Sequence, residues 1–253
     1  MKIELCQTNI IWENKILNLQ KAEKIISQSK SNVLFFPEMS FTGFSMNTEL
    51  TGENDSFTLN YMQKLALKYN KSVAFGWVYK IGEKAENHYT FIDEKGKILS
   101  DYVKIHPFSY SGEDEFFKQG NKISIFKYKD FNICNFICYD LRFPEIFQAA
   151  SKKADIITVA ACWPKTRREH WLTLLKARAV ENLCYILAVN CVGNIGKEEY
   201  SGDSCIINPN GEITDSLSYK EGILTAEIEN DVLKYRKSFP VFKDRREDLY
   251  KIL

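Results

Sequence analysis

The stretch FNICNFICYDLRFPE, residues 131–145, begins as an apolar run and ends as the start of a helix. The run to Ile137 is rich in β-branched and aromatic residues and reads as a buried strand. Polar residues follow. Pro144 and Glu145 then suit the first turn of a helix. A strand that passes into a helix in this way is the repeating unit of an α/β fold. The junction delivers Cys138. A thiol there faces the positive end of the helix, so a lowered pKa and a reactive thiolate are expected. An inert buried thiol is the equal alternative on this segment alone. Cys134, four positions earlier on the same side of the strand, reads as core.

Outward from this segment, strand-like runs alternate with helical ones. Strands are expected over residues 2–9, 32–37, 72–79, 89–93, 97–102, 123–128, 131–137, 155–161, 185–192, 204–208 and 223–227. Helices are expected over 14–28, 55–69, 144–153 and 167–182. Ile16, Leu19, Ala22, Ile25 and Ile26 recur at helical spacing, as do Trp171, Leu174, Leu175 and Ala179. The two halves of the chain also echo each other. NVLFFPEM, SVAFGWVY and TFIDEKGKI are answered by DIITVAACW, YILAVNCVG and CIINPNGEI roughly 110–125 positions later. DEKG and NPNG are both hairpin turn signals. The echo predicts two sheets facing each other in one sandwich, with helices outside. No Pro/Gly/Ser-rich linker interrupts residues 1–253, so one domain is expected. The charged and aromatic tail from Asp231 reads equally as an arm lying on a partner subunit or as a solvated terminus.

Composition narrows the function classes. Basic and acidic side chains number 34 and 33, for a net charge of +1. Such a balance provides no field for nucleic acid or an anionic membrane, and both are discounted as partners. The opening MKIELCQTNI lacks the pattern of a signal peptide, and no run reaches the ~18 apolar residues of a membrane span. Seven cysteines, mostly inside apolar runs, fit reduced thiols, so the cytoplasm is the expected compartment. With no C-x-x-C pair and three histidines, no zinc site is expected.

Two further segments carry chemistry. In LFFPEMSFTGF, Glu38 follows an apolar strand at once, and ligands of α/β sheets sit beyond the carboxyl ends of strands. A desolvated carboxylate there suits general-base work. A salt-bridged or capping glutamate is the structural alternative. In DYVKIHPFSYSGEDEFF, Lys104 leaves a strand and enters a turn-rich loop that holds His106, Glu113, Asp114 and Glu115. A surface lysine, a histidine that simply holds the loop ahead of Pro107, and a solvated acidic cluster are the alternatives here.

Taken together, FPEM with Glu38, Y-x-K-x-H with Lys104 and CYDLRFPE with Cys138 resemble the nitrilase superfamily of carbon–nitrogen hydrolases. The resemblance runs over nearly the whole chain. It implies an α-β-β-α sandwich of two pseudo-symmetric halves. It also implies a homodimer stacked through one helical face. Glu38, Lys104 and Cys138 match the family's catalytic triad. Glu113 matches its second catalytic glutamate by position, with Asp114 and Glu115 as competitors for that place. Pro107 stands where the family often carries leucine, which bears on the loop holding Glu113. No metal and no organic cofactor is implied.

Longer matches, including FPEMSFTGFSM, TRREHWLTLLKARAVEN and YSGDSCIINPNGEI, are most similar to the omega-amidase (2-oxoglutaramate amidase) group. That resemblance implies a small-molecule substrate with an ω-amide and a terminal carboxylate. Tyr139 is expected to supply a backbone N–H to the oxyanion. Arg142 is a candidate for the substrate carboxylate, with a brace to a carboxylate of the turn as the alternative. Phe44 and Trp163 are expected to wall the pocket. Arg178 and Glu181, three apart on one helix, read as a structural pair. N-carbamoyl amine amidohydrolase, nitrile hydrolase and a non-catalytic binding protein of the same fold are the competing readings.

Overall fold

The computed structural model describes residues 1–250, so the end of the 1–253 span lies outside the described residues. Its strands are β1 (Lys2–Gln7), β2 (Val33–Phe35), β3 (Ser72–Ile81), β4 (Lys84–Ile92), β5 (Ile98–Val103), β6 (Phe117–Lys118), β7 (Ile125–Tyr128), β8 (Phe131–Ile137), β9 (Ile156–Ala161), β10 (Tyr185–Asn190), β11 (Val192–Ile195), β12 (Glu198–Ile207), β13 (Ile213–Ser218) and β14 (Gly222–Glu227). The helices are α1 (Lys15–Gln28), α2 (Thr48–Thr51), α3 (Phe57–Tyr69), α4 (Glu113–Phe116), α5 (Pro144–Ser151), α6 (Arg168–Asn182), α7 (Val232–Ser238), α8 (Val241–Asp244) and α9 (Glu247–Tyr250).

The strands form two sheets, ordered β14-β1-β2-β3-β4-β5 and β11-β12-β10-β9-β8-β7, with β6 added to β4 and β13 to β12. The internal echo of the sequence becomes a repeated topology. In one sheet β1, β2 and β3 run parallel, and β4 and β5 return antiparallel. In the other, β8, β9 and β10 run parallel, and β12 and β13 return antiparallel. Each parallel set has an antiparallel strand against its first member: β14 on β1 and β7 on β8.

Both faces of each sheet are covered, which is why the parallel strands read as continuous apolar runs. Ile3, Leu5, Val33 and Phe35 point inward, into a core shared with Ile133, Phe136 and Val159 of the facing sheet. Their neighbours Cys6, Leu34 and Phe36 point outward, onto Leu19, Ala22 and Ile26 of α1 and Met62 and Leu65 of α3. On the far side, Phe147 and Ala150 of α5 and Trp171, Leu175 and Ala179 of α6 cover the second sheet. The layers are therefore α-β-β-α.

Several elements differ from the expectations. The run 185–192 is two strands: the chain leaves β10 at Cys191, and β11 pairs with the start of β12, whose later residues pair with β10. The run 204–208 is the end of the longer β12. A bulge lies between Gly202 and Ser204, where Gly202 and Asp203 take φ of 75° and 60°, and this broke the strand pattern in the sequence. The tail folds back onto its own chain. Val232 is buried, and Arg236 donates to the carbonyls of Ala154 and Leu183 at 2.8 and 3.2 Å. Arg245 likewise reaches the Glu181 carbonyl at 2.8 Å. It is not simply a solvated terminus. No described helix is long and apolar enough to cross a membrane.

Candidate active site

The carboxyl ends of β2, β5, β8 and β9 converge on one cluster of side chains. Glu38 follows β2, Lys104 follows β5, Cys138 follows β8 and Cys162 follows β9. Lys104 Nζ lies 2.8 Å from Glu38 Oε1 and 2.8 Å from Glu113 Oε2, and all three side chains are buried. The sequence left Glu113 open against Asp114 and Glu115. The structure separates them: Glu113 is buried at the start of α4, and its two neighbours are exposed. The Phe108 N–H, one residue past Pro107, donates to Glu113 Oε2 at 2.5 Å.

Glu38 is held by backbone as well as by charge. Its Oε2 accepts from the Cys162 N–H at 2.9 Å. Met39 turns the chain at φ 42°, and β3 closes behind at Gly76. A Cβ at Gly76 would lie 2.3 Å from Met39 N and 2.8 Å from the carbonyl carbon of Glu38, so only glycine fits there.

Cys138 takes φ 44°, an unusual value for a residue with a side chain. Asp140 fixes that turn. Its Oδ2 accepts from the Ile137 N–H at 3.0 Å and from the Tyr102 hydroxyl at 2.7 Å. Its Oδ1 accepts from the His106 N–H at 3.0 Å and lies 2.8 Å from His106 Nδ1. His106 stacks on Phe143 with ring centres 3.7 Å apart and serves the loop rather than the thiol. Arg178 adds a second brace, donating twice to the Leu141 carbonyl at 3.1 and 2.8 Å while also pairing with Glu181 at 2.9 Å.

The expected thiolate is corrected by the electrostatics. Burial and the Glu38 charge push the Cys138 thiol well above the ordinary range, and Lys104 offsets only part of this. The turn after Cys138 is a 3-10 segment, Cys138–Arg142, and α5 starts only at Pro144. Burial also acts to lower the Lys104 ammonium, yet Glu113 and Glu38 outweigh it and hold Lys104 well above the usual lysine range. Burial pushes Glu113 up against the pull of Lys104, with Glu38 adding to the rise.

The cluster opens into a cavity of about 740 Å³, lined by Lys104, Cys138 and Tyr139 at its base and by Phe44 and Trp163 on its walls. Lys104 Nζ lies 5.2 Å from the Phe44 ring centre. Arg142 also faces the cavity. It pairs with no carboxylate among the described residues: it lies over the Trp163 ring at 4.8 Å and meets His170 Nδ1 at 3.2 Å. Arg167, which sequence reasoning passed over, is a second arginine on the same cavity, over the rings of Phe108 at 5.4 Å and Tyr110 at 5.2 Å. Asn87 and the Cys162 N–H were also missed. Asn87 shares the inward parity of Tyr89 and Phe91 on β4, and an inward asparagine in a strand was the available signal.

A family model described as carbon-nitrogen hydrolase matches residues 2–237 of the sequence. The chain belongs to that family. This carbon–nitrogen hydrolase is 33% identical to a 2-oxoglutaramate amidase of Bacillus subtilis, over 98% of each chain. It is 31% identical to the omega-amidase YafV of Escherichia coli K12, over 98% of this chain and 97% of that one. Among solved structures, a carbon–nitrogen hydrolase superfamily protein of Xanthomonas campestris, carrying an arsenic adduct in its active site, superposes with a TM-score of 0.91. It is 26% identical, over 97% of both chains. The α-β-β-α sandwich is thus the fold of this family, and the chain is a hydrolase acting on amides.

Proposed function

We propose that the enzyme hydrolyses the terminal amide of a small carboxylic acid, of the 2-oxoglutaramate or 2-oxosuccinamate type, to the acid and ammonia. The observation that carries this reading is a nucleophile, a base and a buried cation at the foot of a cavity that also holds two arginines without carboxylate partners among the described residues. The relatives named for 2-oxoglutaramate and omega-amide hydrolysis support it.

In this reading Cys138 gives its proton to Glu38 and attacks the amide carbonyl. Glu38 Oε1 already accepts from Lys104 and Asn87, so Oε2 is the oxygen that takes the proton. The Lys104 ammonium and the Tyr139 N–H, which lies in the first turn of the 3-10 segment, stabilise the oxyanion. Glu38 then protonates the departing ammonia. A water deprotonated by Glu38 attacks the thioester, and the acid leaves as the Cys138 thiol reforms. Glu113 keeps Lys104 charged and in place. Arg142, with Arg167 beside it, meets the substrate carboxylate between the Phe44 and Trp163 walls. The working unit is a homodimer, on the strength of the family resemblance.

The test is a screen of ω-amides of dicarboxylic acids, N-carbamoyl amines and nitriles, read for ammonia and carbon dioxide. Ammonia without carbon dioxide from 2-oxoglutaramate, and a thioester mass on Cys138, are expected. Carbon dioxide from a carbamoyl amine, or full activity in Cys138→Ala, would overturn the reading.

A further inference from the structure

One buried polar side chain touches both glutamates of the site. Asn87 Nδ2 donates to Glu38 Oε1 at 2.8 Å and to Glu113 Oε1 at 3.2 Å. Asn87 is 1% exposed, and its backbone carbonyl accepts from the Lys104 N–H at 2.9 Å. The amide orientation follows from the acceptors: the flipped form would set Oδ1 against two carboxylates. Asn87 Oδ1 itself finds no partner among the described residues. Leaving a buried acceptor unmatched has a cost, so the two donations outweigh it at this position.

Two carboxylates share one ammonium here. Lys104 Nζ reaches Glu38 Oε1 at 2.8 Å and Glu113 at 2.8 and 3.1 Å. Left to themselves, carboxylates so placed share a proton between them. A proton lying between Glu38 and Glu113 occupies the base before it can take one from the thiol. A neutral NH2 group that donates one hydrogen to each carboxylate occupies that space with donors and, with Lys104, fills Glu38 Oε1, while Oε2 accepts from the Cys162 N–H.

We propose that Asn87 is a positioning residue for the reaction: its side-chain amide keeps the shared proton out of the Glu38–Glu113 pair and directs proton transfer to Glu38 Oε2. The inference rests on the reading of Glu38 as the base. Glu38 is also faced by Lys104 from the end of β5, Glu113 from α4, Cys138 from the end of β8 and Cys162 from the end of β9. Cys191, after β10, and Tyr200 of β12 lie beyond these. Their charges are unchanged when Asn87 is replaced, so a moved titration reports the amide.

The sign follows from the donors. They stabilise the charged carboxylate, so removing the donors favours the protonated base. Activity then fails sooner as pH falls. Asn87→Leu has nearly the same size, with the donors removed and no charge added. It is expected to lose roughly 10- to 100-fold in kcat/KM on the best ω-amide. The acidic limb of its kcat/KM profile is expected to move up by about one pH unit. An acidic limb that stays at the wild-type pH, whatever the loss of rate, would overturn the proposal. If the leucine variant does not fold, the wild-type side chain decides. Its NH2 resonances are expected to shift through the same pH range as the limb, and resonances that stay constant across that range would overturn the proposal. Full activity in Glu38→Gln would instead sink the reading of Glu38 as base, and so separates the two failures.

Discussion

Glu38 and Cys162 hold each other across the seam between the sheets. The Cys162 N–H donates to Glu38 Oε2 at 2.9 Å, and the Cys162 thiol donates to the Glu38 carbonyl at 3.3 Å. They stand at matching places in the two halves, each just past the second parallel strand, 124 residues apart. The Glu38 carboxylate of the first sheet is therefore oriented by the backbone of the second.

Because that grip is mostly main chain, the Cys162 thiol is dispensable for chemistry. Cys162→Ala is expected to keep kcat/KM within about threefold of wild type, and to lose about 1–2 kcal/mol of stability from the emptied volume. Denaturant melts and steady-state kinetics check this. A loss of activity as deep as that of Glu38→Gln would show that the thiol, and not the backbone, positions the base.

Gly76 is the opposite case, a residue with no side chain that matters to the base. Its absent Cβ lets β3 pass against Met39 N and the Glu38 carbonyl carbon. Gly76→Ala pushes that segment forward, with an overpacking cost of about 1–3 kcal/mol. A shift on the order of 1 Å at the reacting groups lowers kcat about 100-fold. The expected signature is a folded protein with low kcat, measured beside its melting temperature.

The cavity arginines predict a split in specificity. Arg167→Leu is expected to raise KM roughly 10-fold or more for amides that carry a remote carboxylate, through loss of a charge-assisted contact. A neutral short amide such as propionamide loses no such contact, so its kcat/KM stays within about threefold. Equal losses on both substrates would remove Arg167 from recognition. The same pair of substrates sorts Arg142→Leu.

The thiol predicts a pH profile for covalent labelling. Since burial and Glu38 push Cys138 well up, its reaction with a small methanethiosulfonate reagent in the free enzyme is expected to keep accelerating past about pH 9, the ordinary thiol value. A plateau in the rate below neutral pH would mark a resting thiolate. Mass spectrometry after proteolysis assigns the modified cysteine.

Much of this was legible in the sequence, for physical reasons. Strands covered on both faces leave unbroken apolar runs, so β2, β8 and β9 stood out, and the residues just past them included Glu38 and Cys138. The helices α1, α3, α5 and α6 bury one stripe each and were placed within two residues at every end. β13 was missed because its side chains are polar and largely exposed. The direction of the Cys138 shift was misread because local sequence shows the helix start but neither the burial of the thiol nor the Glu38 charge delivered from the other sheet. Arg167 and Asn87 gain meaning only from what faces them across the cavity.

The pairing of β14 with β1 has a consequence for synthesis. The first described strand is matched along one edge by the last, register Lys2↔Glu227 to Gln7↔Gly222, so the two edges are translated far apart. Until Gly222–Glu227 emerges, the nascent chain carries an open apolar strand edge, and a product truncated before it keeps that edge for good. Such fragments are expected to be sticky as well as inactive.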